Sequence, residues 1–181
     1  MKRTRRFVWY LASRLALVVF LFSMCIFVLY YAMNATNIYA VLKDGMAQRA
    51  KIIMMDEDDT NLTKFFLESY ILRDQNIQNA LIDQSPYEYY TIRGIDHRLS
   101  LTWYWAWPWD NIAHVSFTEK IPLIDGRLNM SYASPAQELY GENYQAPPPW
   151  PNANYDATMV KVNNRWYIKS LSISKIDIEQ K

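Results

Sequence analysis

Hydrophobic and polar residues follow three different patterns along this chain, and the first is a long apolar run. Residues 15–33 are almost wholly apolar, and no charged side chain lies between Arg14 and Lys43. A helix over these residues, at about 1.5 Å per residue, is about 28 Å long, close to the hydrocarbon thickness of a bilayer. The pattern therefore predicts a transmembrane helix over residues 15–33.

The charges around this run predict its orientation. The residues before it include five basic side chains, at Lys2, Arg3, Arg5, Arg6 and Arg14. Basic residues stay on the cytoplasmic side of a membrane. Residues 1–14 are therefore expected to form a cytoplasmic tail, and residues 34–181 to lie outside the membrane. Arg14, at the inner end of the run, is expected to reach back to the headgroups.

A cleaved signal peptide is the alternative interpretation of this run. Such a peptide has an apolar region of about 7–15 residues and a small-x-small cleavage site. The run here is longer and ends in Tyr30 and Tyr31, which suit the aromatic belt of a membrane interface. These features favour an uncleaved signal anchor.

The second pattern is a helical repeat of apolar residues after the membrane segment. Ile38, Leu42, Met46 and Ile53 recur at helical spacing, which predicts a stalk helix and an acidic break over residues 34–59. A further helix is expected over residues 62–75. Ser85 and Pro86 then predict a short helix that runs to Tyr90, because proline favours the first helical position.

The third pattern, from residue 92 onward, is the period-two alternation of strands. Apolar residues alternate with polar ones over 99–105 and 113–117. Asp125-Gly126 predicts a hairpin between strands 119–124 and 127–132, and Asn163-Asn164 predicts one between 155–162 and 165–173. Residues 134–154 are rich in proline, tyrosine and asparagine, and are expected to form a loop.

Helices followed by strands predict the fold class α+β. The expected arrangement is a transmembrane helix, a stalk helix and a domain over residues 60–181. In that domain, helices pack on a curved antiparallel sheet of about five strands.

Three segments of this domain resemble the nuclear transport factor 2-like, or cystatin-like, family. They are FFLESYILRD at 65–74, residues 86–90, and the closing hairpin KVNNRWYIKSLSI at 161–173, with Arg165, Trp166, Tyr167 and Ile168 after its turn. The resemblance implies a cone-shaped α+β fold that encloses a pocket. Membrane-anchored members of the family include assembly factors of bacterial conjugation and secretion systems and sporulation-channel proteins. Other members are isomerases and dehydratases that use Asp, His or Tyr in the pocket. The proline-rich loop and the tryptophans of 103–109 depart from the family pattern.

Composition argues against a nucleic-acid partner and against cysteine-based sites. Five of the 19 basic residues precede position 34, which leaves 14 against 18 acidic residues and a net charge of −4 outside the membrane segment. Nucleic-acid binding needs clustered basic residues, so no nucleic-acid partner is expected. The one cysteine, Cys25, lies in the apolar run, so the outer domain is expected to have neither a disulfide nor a cysteine metal site.

The tryptophans at 103–109 are the candidate partner-binding residues. Trp107 and Trp109 flank Pro108, where the strand is expected to end, so we expect their side chains to be exposed. Trp150 in the proline-rich loop is the next candidate. The competing interpretation is that two of the tryptophans at 103–109 fill the core between the sheet and a helix.

The sequence predicts no catalytic, cofactor-binding or metal-binding residue. His97 follows Asp96, and His114 lies four residues after Asp110, so an acid–base pair is conceivable. His114, however, is expected to point to solvent between Ala113 and Val115. The spacing of a zinc site is missing.

The predicted function is a membrane-anchored, extracytoplasmic, non-enzymatic binding or assembly module of a bacterial secretion, pilus or sporulation apparatus, with protein partners. Two alternatives stay open. One is an exported small-molecule-binding or enzymatic domain, and the other is a pilin-like subunit. Convergent Asp, His or Tyr inside the cone would favour a ligand or an enzyme, whereas an apolar interior would favour assembly.

Overall fold

The computed structural model describes residues 2–55, 59–107 and 109–177, with side chains for all of these except 2–7, 59–60 and 177. The expected acidic break at 56–59 lies largely outside the described residues, as does Pro108. The chain divides into two compact units, Met1–Asn37 and Ile38–Lys181. Each unit is described by itself.

The first unit is helical throughout its described part. It belongs to helix α1, which runs from Lys2 to Met55, and its apolar side chains from Val8 to Met33 are largely exposed. Among the described residues, α1 is the helix that is long and apolar enough to cross a membrane. Exposed apolar side chains over this length are typical of a membrane-spanning helix, so the helix is compatible with a single-pass membrane anchor.

The remainder of α1 belongs to the core of the second unit. Ile38, Leu42, Met46 and Ala50 repeat every four residues, so they lie on one face of the helix, and all four are fully buried. Gly45 lies on the same side, and a β-carbon at this position would come within 2.9 Å of Phe65. The structure thus differs from the stalk expected from the sequence, because this segment is the central helix of the domain.

The helix expected over 62–75 is divided into short pieces. A 3₁₀ helix covers Asp59–Lys64, α2 covers Glu68–Ile71 and α3 covers Gln75–Leu81. The reason for the break is a strand: Ile168 donates its N–H to Phe65 O at 2.7 Å and accepts from Leu67 N at 3.0 Å. These bonds engage Phe65 O and Leu67 N, which would otherwise bond within a continuous helix. Residues 86–89 form turns and not the expected short helix.

In the described part of the chain, six strands form two antiparallel sheets, which confirms the α+β class. A four-stranded sheet has the order β2-β3-β5-β6, and a two-stranded sheet pairs β1 with β4. The strands are β1 Tyr90–Ile95, β2 Arg98–Trp105, β3 Ile112–Lys120, β4 Ile124–Leu128, β5 Asn152–Val162 and β6 Arg165–Asp177.

One of the two expected hairpin turns is present. Asn163 and Asn164 have φ values of 49° and 63° and join β5 to β6, as the preference of asparagine for positive φ predicts. The Asp125-Gly126 prediction is wrong, because both residues lie inside β4, where Gly126 pairs with Ile92 of β1. The side chains of Ile92 and Pro147 occupy the space that a β-carbon at Gly126 would need.

The segment 134–154 is partly ordered into helices. It contains most of α4, Ala133–Tyr140, and a 3₁₀ turn at Gly141–Asn143. The expected loop is shorter: the prolines at 147–151 lie outside helix and strand, and β5 begins directly after them. This proline run brings Trp150 to the interior, where it is buried.

Because α1 supplies the central apolar face, we predict that residues 38–181 fold on their own and that residues 56–181 do not. The shorter chain lacks the four fully buried residues of α1 and uncovers apolar residues of the same core cluster, such as Ile168, which lies beside Gly45. Thermal unfolding followed by circular dichroism tests this. A cooperative transition is expected for 38–181, and a cooperative transition in 56–181 would contradict the placement of α1 in the core.

Candidate functional site

A charged pair lies in the interior between the helices and the large sheet. Arg49 comes from α1, and Asp74 is the residue that caps the start of α3. Arg49 Nε lies 2.7 Å from Asp74 Oδ2, and Arg49 Nη2 lies 3.2 Å from Asp74 Oδ1. The two side chains are only 6% and 5% exposed. This is the two-pronged arginine–carboxylate geometry, which is the strongest kind of side-chain ion pair.

Asp74 has every position around its carboxylate occupied. Besides Arg49, it accepts a hydrogen bond of 2.6 Å from the hydroxyl of Tyr70, which stacks on Phe66. Its Oδ1 also accepts from the backbone N–H groups of Asn76 and Ile77. The carboxylate is therefore fully engaged in holding α3, α2 and α1 together.

A second buried carboxylate lies on the sheet side of this pair. Glu119 of β3 is fully buried, its Oε1 lies 2.9 Å from His97 Nε2, and its Oε2 accepts from Trp150 Nε1 at 3.2 Å. The Trp150 ring also faces the guanidinium of Arg49, with 6.0 Å between the ring centroid and Cζ. Trp150 thus connects the two carboxylates into a single polar network inside the domain.

The electrostatics around the Arg49–Asp74 pair favour the charged form of Asp74 and the neutral form of the neighbouring tyrosines. Burial alone would raise the pKa of Asp74, but the hydrogen bond and charge of Arg49 outweigh it and lower the pKa below its usual value. Burial raises the pKa of Tyr70 well above normal, and Asp74 raises it further. The pKa of Tyr155 is also raised, by burial and by the charge of Glu119.

These shifts make Asp74, Tyr70 and Tyr155 poor acid–base groups at neutral pH. A carboxylate with a lowered pKa is a weak base, and a tyrosine with a raised pKa is a weak acid. The arrangement instead fixes side chains in one geometry, which suits structural support and the positioning of a ligand.

The two histidines do not form the acid–base pair that the sequence made conceivable. His97 is buried against Glu119, whereas His114 is exposed on β3, as expected from the alternation. Asp96 pairs with Arg98, and Asp110 accepts from the backbone N–H of Trp107. Among the described residues, no group of three or more His, Cys, Asp or Glu side chains could hold a metal ion.

Four indoles cover one end of the large sheet, and we call Trp103, Trp105, Trp107 and Trp109 the tryptophan surface. Their exposed fractions are 52%, 51%, 41% and 66%. The rings of Trp107 and Trp109 stack with centroids 5.3 Å apart and planes 5° from parallel, and the ring of Trp105 meets that of Trp107 edge-on at 5.4 Å. Within the tryptophan surface, Trp105, Trp107 and Trp109 therefore form a continuous aromatic face.

A bulge explains why Trp103 and Trp105 are outside the core. The pairing of β2 with β3 shifts between Leu101 and Trp103. The side chains that point to the core are therefore at odd positions before the shift and at even positions after it. Leu99 is buried before the shift, and Tyr104 is half-buried after it. The interpretation that two of the tryptophans fill the core is therefore wrong for Trp103 and Trp105.

The sequence-predicted partner-binding residues are not all in one place. Trp107 and Trp109 lie together on the tryptophan surface. Trp150 is 6% exposed and bonded to Glu119, so in the folded domain it supports the interior network and is not available to a partner.

Sequence reasoning missed Arg49 and Glu119, although both left a signal. Arg49 lies next to Ala50 on the apolar face of α1, and Glu119 continues the inward alternation of Ala113, Val115 and Phe117. A charged residue at a core position requires a buried partner. The sequence alone does not show which residue that partner is.

Comparison with known proteins adds no assignment, because no family model, curated protein or solved structure matches this chain.

We predict that Asp74→Asn lowers the unfolding free energy by about 3–5 kcal/mol at pH 7, because it leaves Arg49 buried without its counter-charge. Asparagine keeps the capping acceptor Oδ1, but the amide nitrogen in place of Oδ2 cannot accept from Arg49 Nε or Tyr70. The loss therefore combines the missing charge with these two missing contacts. The double variant Arg49→Met/Asp74→Asn removes both charges. It should be more stable than Asp74→Asn by about 1–3 kcal/mol. Urea unfolding of each protein measures these differences.

The same pair predicts a pH dependence. The pKa of Asp74 is lower in the folded state than in the unfolded state, where it is about 3.9. The ionised Asp74 therefore stabilises the fold at pH values above the unfolded-state pKa, and this stabilisation is lost as the pH falls through the folded-state pKa. The difference between wild type and Asp74→Asn should therefore shrink below about pH 4. An equal difference at pH 3 and pH 7 would contradict this account.

Proposed function

We propose that this chain is a single-pass membrane protein whose domain after residue 37 is a non-enzymatic binding module, which docks a protein partner through the tryptophan surface. The observation that carries the proposal is the set of four neighbouring indoles, each at least two-fifths exposed. Isolated domains rarely leave such apolar area uncovered.

The geometry of the tryptophan surface favours a protein partner. Tryptophan is the residue most enriched at binding hot spots, because it buries a large area at a small cost in side-chain entropy. The stacking of Trp107 on Trp109 holds both rings in place before binding, which reduces that cost further. β2 is also an edge strand of its sheet, so a partner strand has backbone groups to pair with.

The interior network supports binding over catalysis. Asp74 and Glu119 are occupied by partners, and the neighbouring tyrosines hold their protons tightly. Acid–base catalysis by Asp74 or by these tyrosines would need pKa values much closer to neutral pH. Membership of a membrane-associated secretion, pilus or sporulation assembly, and a nuclear transport factor 2-like ancestry, remain parts of the proposal that the sequence resemblance supports.

The orientation is also part of the proposal. Lys2, Arg3, Arg5 and Arg6 precede the apolar segment of α1, and the first acidic residue of the chain is Asp44. The positive-inside tendency then keeps the amino terminus in the cytoplasm and exports the domain.

We predict that Trp107→Ala with Trp109→Ala abolishes docking and leaves the fold intact. A photocrosslinking residue at position 101, on the same strand, should give a discrete adduct in host membranes. The double variant should reduce that adduct at least about tenfold, because hot-spot tryptophans each contribute about 2 kcal/mol or more. Its Tm should change by no more than about 2 °C.

The matched control is Met130→Ala with Leu139→Ala, which removes two other exposed apolar side chains. This control should leave the adduct unchanged. Equal loss of the adduct in both variants, or an unchanged adduct in the tryptophan variant, would place the docking surface elsewhere. A large drop in Tm would show that the indoles stabilise the domain.

We predict that a cysteine at exposed position 120 reacts with a membrane-impermeant maleimide in intact spheroplasts. The Cys25→Ser background removes the native thiol. A cysteine at position 4 should react only after the membrane is permeabilised, because the tail lies inside. The reverse labelling pattern would show that the domain is cytoplasmic and would contradict the proposed orientation.

A further inference from the structure

A cavity of about 360 Å³ opens beside the buried Arg49–Asp74 pair. Its lining residues come from α1, from the segment 69–76, from β5 and from β6. The charged and phenolic side chains among them are Arg49, Tyr70, Arg73, Asp74, Tyr155 and Lys169. This volume lies in the range of small-molecule sites.

The two walls of the cavity are held in a fixed relation. Phe66 and Ile168 form a parallel bridge, supported by the bonds of Ile168 to Phe65 and Leu67. Lys169 follows Ile168 directly, and Tyr70 lies in the short helix that begins just after Leu67. The backbone pairing therefore places a basic side chain of β6 opposite the tyrosine and the charged pair.

The charges around the cavity favour an anion. Among its described lining residues are the basic side chains Arg49, Arg73 and Lys169 and a single carboxylate, Asp74. The cavity is thus locally positive by two charges, in a region of the chain with a net charge of −4. Clefts lined by one sign of charge concentrate ligands of the opposite sign.

The carboxylate in the lining is unsuited to a cationic ligand. Asp74 already accepts bonds from the guanidinium of Arg49, the hydroxyl of Tyr70 and two backbone N–H groups, and Arg49 neutralises its charge. Arg73 and Lys169, by contrast, are exposed at the rim and can turn toward a bound group. Their neighbours Ser69 and Ser170 add hydroxyl donors.

We propose that this cavity binds a small soluble anion through a carboxylate or phosphate group, with Arg73 and Lys169 as the contacting cations. Leu171 and Ile173 on the β6 wall provide apolar surface for the organic part of such a ligand. The site is separate from the tryptophan surface and does not depend on the docking proposed there.

The test uses the full chain in neutral detergent, with citrate and inorganic phosphate as probes and sodium chloride at equal ionic strength as the reference. At about ten times the dissociation constant, either probe should raise the Tm by about 2–5 °C over the reference. Arg73→Gln with Lys169→Gln should weaken binding of the probe at least about tenfold, as measured by titration calorimetry. Comparison of the dissociation constants of citrate and phosphate shows whether the cavity prefers a carboxylate or a phosphate group.

Arg93→Gln with Lys120→Gln is the matched control, since both side chains are exposed and lie outside the cavity. It removes the same net charge and should bind the probe as the wild type does. Equal weakening of probe binding in both double variants would show a nonspecific effect of net charge and would contradict the proposed site. The absence of a Tm shift with both probes would also overturn the proposal. Neither result depends on partner docking, so the two proposals fail separately.

Discussion

The burial of Arg49 is the constraint on which the interior of this domain depends. An arginine inside a protein is stable only when a carboxylate meets it with good geometry, and Asp74 does so from the start of α3. That requirement ties the central helix to α3. The Trp150 ring over the guanidinium then extends the contact to Glu119, and His97 completes the polar network. The apolar face of α1 can therefore include a charge without loss of the fold.

Polar and aromatic residues are distributed in an unusual way in this domain. Arg49 and Glu119 are inside, while the four indoles of the tryptophan surface are outside. Neither placement follows from the ordinary preference of these residues. The first is tolerated because Arg49 is paired with Asp74 and Glu119 is hydrogen-bonded to His97 and Trp150. For Trp103 and Trp105 the second follows from the bulge in the edge strand β2, whereas Trp107 and Trp109 lie beyond the end of that strand. Together they separate a rigid interior from a surface suited to binding.

Several elements follow from the sequence because local physics decides them. The apolar segment of α1 is fixed by length and composition, and β3 by period-two alternation. The Asn163-Asn164 turn between β5 and β6 is fixed by the tolerance of asparagine for positive φ. Other predictions fail where distant contacts override the local pattern. Ile168 interrupts the helix expected at 62–75, and Ile92 pairs with Gly126 where a turn was expected.

The sequence by itself determined the α+β class, the apolar helix and the exposure of Trp107 and Trp109, because each depends on short-range patterns. Only the tertiary structure decided that the helix after residue 37 is the core of the domain, and that Trp150 lies inside. It also paired Arg49 with Asp74 and Glu119 with His97, over separations of 25 and 22 residues. A buried charge shows in the sequence that it needs a partner, but the folding of the chain alone selects which residue comes within hydrogen-bond distance.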